Sequence, residues 1–296
     1  MMKRLEIPEK AEEIISRIKA SANEPPQKLD RLMHDLIRLE SAAIPAIIKA
    51  LERLSESEWD KALETNFMNA LASMKSDKSV NMLINILQSH PDDSARVVCV
   101  ISLGEIKSNK ALEPLTSALK TDSSIVVRQY AAQALGMFGD DSVISLLSDT
   151  MDNAGELRVR LGAVQGLFNL NTKNAHARLM DALRTSKEPD LRFAIISSYG
   201  QMQSSESLDS LIYSASNDSS INIRTEALFH LANIAESYAL SGKRLMQISG
   251  AIEKAKNSSD LKNCDQDSLQ KFMNELNRIE TAIQKLHKYV PRNVEI

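Results

Sequence analysis

Ala111-Leu-Glu-Pro-Leu-Thr-Ser-Ala-Leu-Lys120 and, after a short polar gap, Val127-Arg-Gln-Tyr-Ala-Ala-Gln-Ala-Leu-Gly136 decide how this chain folds. In the first stretch Leu112, Leu115 and Leu119 recur at helical spacing, and in the second Ala131, Ala132, Leu135 and then Phe138 do the same. Each set makes one apolar stripe along a helix. Between them stand Thr121, Asp122, Ser123 and Ser124, whose short polar side chains interrupt the first helix and cap the second. Pro114 falls in a first turn, where no interior hydrogen bond is lost. The whole reads as a helical hairpin.

The hairpin repeats. Arg96, Arg128, Arg160, Arg192 and Arg224 stand at one unchanging step, that from Arg96 to Arg128. The same step links Leu83, Leu115, Leu147, Leu179 and Leu211, and also Leu103, Leu135, Leu167, Tyr199 and Leu231. Ile106, Phe138, Leu170, Met202 and Ile234 form a further column, as do Ala95, Val127, Val159, Leu191 and Ile223. Aligned columns held through five units without an insertion are the signature of an array of supersecondary units. One step upstream Leu51, Leu63, Phe67, Met68, Leu71 and Met74 keep the apolar pattern while Glu64 takes the arginine position, a divergent sixth unit. Pro91 and Pro189 sit in inter-helix turns. The expected organisation is all-α, an α-solenoid with helical caps at both ends. Its parts are an N-terminal cap over 1–43 with helices at 9–20 and 28–40, about six repeats over 44–239, and a C-terminal helical hairpin over 240–296.

Segments 111–120 and 127–136 closely resemble the short HEAT repeats of the phycobilisome-lyase type. The resemblance spans about 44–239, nearest the family pattern in the third unit and looser in the fourth and fifth. It implies a right-handed superhelix of paired helices with the second helix of each pair lining the concave side. The family is mostly scaffolds and adaptors with a few enzymes, so what it implies is specific for fold and not for function.

Composition narrows the partners. The 296 residues carry nine Gly, eight Pro and 4 % aromatics, which suits helices, and a formal charge of −3. That charge gives no general attraction for phosphate backbones or anionic membranes. Residues 1–20 mix acids and bases with no apolar core, so they read as no secretory signal, and no run is long enough to span a membrane; the expected compartment is the cytoplasm. Cys99 and Cys264 are too far apart for a Cys-x-x-Cys site and are expected as reduced thiols. The sequon matches at Asn217 and Asn257 then carry no glycan.

The motifs of chemistry are missing. His34, His90, His176, His230 and His287 form no His-x-x-x-His or His-Glu pair, so no metal site is expected and the HEAT-type hydroxylases, which the family comparison says use His-Glu pairs, are disfavoured. No glycine-rich phosphate loop occurs, and the Ser-x-x-Lys matches at Ser16 and Ser259 lack their companion motifs. The chain is read as a non-enzyme with no cofactor.

Two constellations remain. An acid precedes each arginine of the column: Asp92 or Asp93, Asp122, Glu156, Glu188 or Asp190, and Asp218. The column therefore reads as a structural ladder of bridges between neighbouring turns in preference to a phosphate grip. Taking each arginine as position zero, apolar residues at three, four, seven and ten mark the buried stripe, so two, five and nine point roughly opposite. These positions give Val98, Ile101 and Glu105; Tyr130, Gln133 and Met137; Gly162, Gln165 and Asn169; Ala194, Ser197 and Gln201; Glu226, Phe229 and Asn233. Two of these fifteen are charged where the overall 25 % gives about four, and none is Lys or Arg, unlike a nucleic-acid track. Tyr130, Met137 and Phe229 are types enriched in protein interfaces. Phe193, one residue past its arginine, is expected to pack between units.

After Ile234 the period fails. Leu269, Phe272, Leu276, Ile279, Ile283, Leu286 and Val290 alternate steps of three and four, as a helix seam does. Upstream Leu231, Ile234, Tyr238, Ser241, Leu245, Ile248, Ile252 and Ala255 keep the same alternation. The last repeat helix is therefore expected to run on to about Asn257 before the polar stretch 257–267 turns the chain back. The function expected from all this is a non-catalytic scaffold or adaptor, a monomer holding a protein segment on the concave face. The alternatives are an enzyme or enzyme subunit like the HEAT-type bilin lyases, and, third, a nucleic-acid-binding solenoid.

Overall fold

The polar turns and apolar columns translate directly into helices in the computed structural model, which describes residues 6–21, 26–51, 54, 58–202, 205–237, 242–258, 261–262 and 264–289. The described residues hold helices and turns and no strand, and the fold is all-α, of the α-solenoid class. The chain forms two compact units, 1–171 and 172–296.

The first unit contains α1 (Glu6–Lys19), α2 (Pro26–Ile37), α3 (Ile44–Leu51), α4 (Glu58–Met74), α5 (Asp77–Ser89), α6 (Asp93–Ile106), α7 (Leu112–Thr121), α8 (Ile125–Gly136), α9 (Ile144–Asn153) and α10 (Leu157–Leu170). Successive pairs are hairpins, and their second helices, α4, α6, α8 and α10, stack side by side in sequence order. Two of these turns are closed by their own acid: the Ser94 N–H donates to Asp92 and the Ser124 N–H to Asp122, both at 2.8 Å. These bonds satisfy donors that a helix start leaves orphaned. Leu83, Leu103, Leu115, Leu135 and Leu147 have no exposed surface, so the apolar columns of the repeat are the core.

Small residues set the spacing of the second helices. A Cβ built on Gly136 would lie 1.9 Å from the Gly166 carbonyl oxygen, and one built on Gly166 would lie 2.3 Å from the Ala132 carbonyl oxygen. Only glycine lets two backbones approach so closely. Gly104 meets Ala134 in the same register as Gly136 meets Gly166, one unit earlier. In both pairs position eight of one unit faces position six of the next.

The second unit contains α11 (Lys173–Thr185), α12 (Pro189–Met202), α13 (Ser205–Asn217), α14 (Ile221–Ser237), α15 (Gly242–Lys256) and α16 (Gln266–Tyr289). Pro189 opens α12 at a position whose N–H has no intrahelical partner in any helix. Here Gly200 takes the ring of His230, again position eight against position six; a Cβ on Gly200 would lie 2.2 Å from it.

The C-terminal region corrects one expectation. The last repeat helix does not run on to Asn257: α14 ends at Ser237 and α15 begins at Gly242, with Tyr238 and Ser241 outside the described residues. The reason is burial. A continuing helix would carry Leu245, Ile248 and Ile252 into solvent, whereas α15 lies on α13 and α16 on α14, and all three are buried. The hairpin thus extends the second unit by another pair. Phe272, Leu276 and Ile279 lose all exposed surface and Ile283 keeps 6 %, while Val290 lies outside the described residues.

Candidate functional site

The arginines come first, because they are the strongest charges inside the repeats. Arg96 sends Nε to Asp122 Oδ2 at 2.9 Å and Nη2 to Asp122 Oδ1 at 2.8 Å, and its Nη1 donates to the carbonyls of His90 and Pro91. Arg192 repeats the arrangement on Asp218 at 2.9 and 3.1 Å, with Nη1 on the Ser186 carbonyl. Arg128 reaches Glu156 at 2.6 Å and the Asp122 carbonyl at 2.6 Å. Arg160 donates to the Met151 carbonyl at 2.7 Å. The guanidiniums of Arg96, Arg128 and Arg192 each bind the carboxylate of the following unit's turn and not the acid that precedes it. This places the bridge across the junction between units. Arg96 and Arg192 are buried, and the Asp122 hydrogen bond holds the Arg96 charge more firmly than burial disfavours it.

The two ends of the ladder differ. Glu64, in the arginine position of α4, receives His90 Nε2 at 2.9 Å, again from the following unit's turn, with donor and acceptor exchanged between the two units. His90 Nδ1 accepts the Asp92 N–H at 3.2 Å, so the ring proton lies on Nε2 and points at Glu64. Arg224 donates Nη2 to the Ala255 carbonyl at 2.5 Å and lies 4.9 Å over the ring of Phe272. It ties α14 to both helices of the terminal hairpin.

The fifteen positions expected on the open face fall into two classes. Ile101 and Phe229, at position five, are 37 % and 40 % exposed, and Gln165 and Gln201 are exposed too. Val98, Tyr130, Gln133, Met137, Asn169, Ser197 and Asn233 are half-buried, whereas Gly162 is buried against Gln129. Position two thus sits at the seams between neighbouring helices. The most open stripe runs through −3, one, five and nine, as Ile125, Leu157 and Phe193 show at about 40 % exposure each. Phe193, expected between units, is on this stripe; one turn before position five it lies outside the buried arc.

In the first unit the stripe on α8 and α10 carries no charge. It is built of Ile125, Gln129, Gln133 and Met137 on one helix and Leu157, Leu161, Gln165 and Asn169 on the next. One amide pair is used internally: Asn169 Nδ2 donates to the Gln133 carbonyl at 3.0 Å and Gln165 Nε2 donates to Asn169 Oδ1 at 3.0 Å. That carbonyl belongs to the neighbouring helix, so the pair ties α10 to α8. The side-chain amides of Gln129 and Gln133 have no hydrogen-bond partner among the described residues.

In the second unit the face is different, and here the expectation of a groove without cations is corrected. Arg278 of α16 lies 5.5 Å over the ring of Phe229. It donates to Asn233 at 2.6 Å and to Glu236 at 2.8 Å, and pairs with Glu275 at 3.3 Å. Phe229 also meets His230 edge-on at 5.2 Å, and His230 Nε2 lies 3.1 Å from Glu226. Arg278 escaped the sequence reading because α16 is outside the repeat period. The only signal was its place one residue before Ile279 in the terminal seam. Beside it α14 and α16 enclose an open hollow of about 610 Å3 lined by Arg278 and Lys285. Glu236 is the one carboxylate in that lining, and it is bound by Arg278.

The Cys99 thiol marks no site. Burial pushes the Cys99 thiol far up, and its sulfur lies 3.5 Å from that of Met68. Among the described residues no group of three His, Cys, Asp or Glu could hold a metal ion, and no helix is long and apolar enough to cross a membrane.

Comparison with known proteins agrees with the repeat. Residues 80–167 match the family of HEAT repeats, so that stretch is HEAT-repeat sequence. No curated protein matches the chain. Among solved structures it is similar to YibA of Escherichia coli, at 16 % identity and TM-score 0.48 over 87 % of this chain and 98 % of that one. It is also similar to the CpcE–CpcF complex of phycocyanin lyase from Nostoc sp., at 20 % identity and TM-score 0.41 over 84 % and 93 %. Human deoxyhypusine hydroxylase gives 17 % identity and TM-score 0.39 over 94 % and 98 %.

Proposed function

We propose that this chain is a non-catalytic scaffold that binds a protein segment on the open face of the second helices, with no bond made or broken. The observation that carries the reading is the stripe on α8 and α10, where apolar side chains and glutamines stand together without a charge. A helical face that only meets water gains nothing from exposing Ile125 and Leu157 at about 40 % each, whereas large apolar side chains beside amides are what a protein partner covers. HEAT repeats over 80–167 supply a rigid series of parallel helices to present it. Tyr130, Met137 and Ile101 would be the anchors, and the arginine ladder would hold the helices in register without touching the partner.

A photo-cross-linking amino acid at Gln133, compared in the native cells with one at Ser117 on the outer helix α7, tests this directly. Covalent adducts to another protein should form from Gln133 and not from Ser117. Adducts from Ser117 alone, or from neither, would remove the assigned face.

A further inference from the structure

Resting on that reading, we infer that the face of α6, α8 and α10 takes an extended apolar peptide segment, uncharged except for a basic residue at its α6 end, and not a partner helix. The discriminating groups are the amides of Gln129 and Gln133. Both are half-buried already, and neither side-chain amide has a hydrogen-bond partner among the described residues. A partner helix satisfies its own backbone internally and would bury these amides with nothing to bond. An extended chain brings one free N–H and one free C=O per residue, the groups a glutamine amide can accept from and donate to at once.

Dimensions agree. Packed helices stand about 8–10 Å apart, and an extended chain rises about 3.3 Å per residue, so roughly six residues span the two steps from α6 to α10. Side chains of such a segment alternate sides, one set toward Ile125 and Leu157 and the other toward Met137.

Charge fixes the end. On α8 and α10 the stripe is neutral, and the positions −3, one, two, five and nine of α6, α8 and α10 hold no Lys or Arg. Glu105 at the α6 side is exposed and has no ion-pair partner among the described residues. Asp93, on the same helix, is occupied by the Ser124 hydroxyl at 2.8 Å. A lysine or arginine of the segment therefore has the Glu105 carboxylate to meet, and an acidic segment has no cation at these positions.

The test is selection from a random twelve-residue peptide library displayed on mRNA, with the full chain as target, followed by two measurements on the winners. Expected winners are apolar, uncharged in the middle and basic at one end. N-methylation of alternate backbone nitrogens should weaken them tenfold or more. Replacing Gln129→Met together with Gln133→Met keeps the side-chain stems and removes both amides; it should cost the peptides tenfold or more in affinity while the unfolding midpoint stays put. Glu105→Lys should turn the end preference from basic to acidic. Winners that tolerate N-methylation, show helical spacing and bind the double methionine variant as well or better would overturn the extended segment while leaving the face in use. Winners indifferent to Ile101→Ala and Tyr130→Ala would instead show binding elsewhere and end the reading on which this rests. A library that yields no binder also overturns the inference.

Discussion

Arg96 and Asp122 meet in a two-pronged ion pair across a unit junction, Nε to Oδ2 at 2.9 Å and Nη2 to Oδ1 at 2.8 Å. Asp122 is also the residue that accepts the Ser124 N–H at the start of α8, and its main-chain carbonyl accepts Arg128. One aspartate therefore joins the arginine of the preceding unit, the turn of its own unit and the arginine of its own helix. Arg192 and Asp218 repeat the bidentate part in the second unit.

The first prediction follows from burial. Both side chains of the Arg96 pair are about 9 % exposed, and removing one partner leaves the other charge stranded in low dielectric. Asp122→Ala should cost roughly 3 kcal/mol. Arg128→Ala should cost only about 1 kcal/mol, because Glu156 is 44 % exposed. Urea unfolding should show this as a midpoint shift at constant slope. Equal losses for the two variants would mean that the ladder does not work through burial.

The glycines give a second. Gly136→Ala and Gly166→Ala place a methyl inside the backbone of the neighbouring helix, where no side chain can move away, and should unfold or severely destabilise the first unit. Gly155 and Gly250 have nothing within 4 Å of a built Cβ. Gly250, inside α15, should gain about 0.5–1 kcal/mol as alanine. Circular dichroism melts of the four variants check the ranking. Soluble, normally melting Gly136→Ala protein would show that α8 and α10 are less closely packed than described.

Much of this was legible beforehand, and the parts that were not share a cause. The repeat columns located every hairpin from Asp77 to Ser237, because the central apolar position of one repeat is buried in the next as well. Leu83, Leu115, Leu147, Leu179 and Leu211 all have no exposed surface. Contacts between repeats are harder to read, since they join different positions of different units. Arg96 reaches the turn of the next unit at Asp122 and Gly136 meets Gly166, so neither contact falls within a column. Where the period stops, pattern alone could not distinguish a helix running past Ser237 from one that turns back. The alternation of threes and fours is the same for both, and only the exposed flank of α13 decided it.

Acid should reveal which carboxylates are held charged. Asp92 is kept below its ordinary range by the Ser94 N–H, Glu236 by the guanidinium of Arg278, and Asp265 by the Ser268 N–H at the start of α16. Each has a folded pKa depressed below its unfolded one. Their stabilisation is therefore complete above the unfolded value and lost as pH falls through the folded one, from about pH 5 downward. Asp92→Asn keeps a capping side chain and cannot titrate, so its stability should change little at pH 7 and fall less steeply between about pH 5 and pH 3. Parallel acid titrations of the two proteins followed by circular dichroism would contradict this if their slopes coincide.

The last prediction concerns the terminal hairpin. Arg224 holds it twice, through the Ala255 carbonyl and under the ring of Phe272, and Lys256 pairs with Glu280 between its two helices. Phe272, Leu276 and Ile279 are wholly buried against α14. Truncation at Phe272 alone, as Phe272→Ala, should cost about 3–5 kcal/mol. Deleting everything after Ser241 exposes the apolar flanks of α13 and α14 and leaves Arg224 without these contacts. An array whose end lacks a polar-faced cap loses solubility. The shortened chain should aggregate or melt earlier, while the full chain remains monomeric in light scattering. A full-length dimer that the deletion converts to a stable, soluble monomer would give the hairpin the opposite role, as an arm that joins two copies through the same seam.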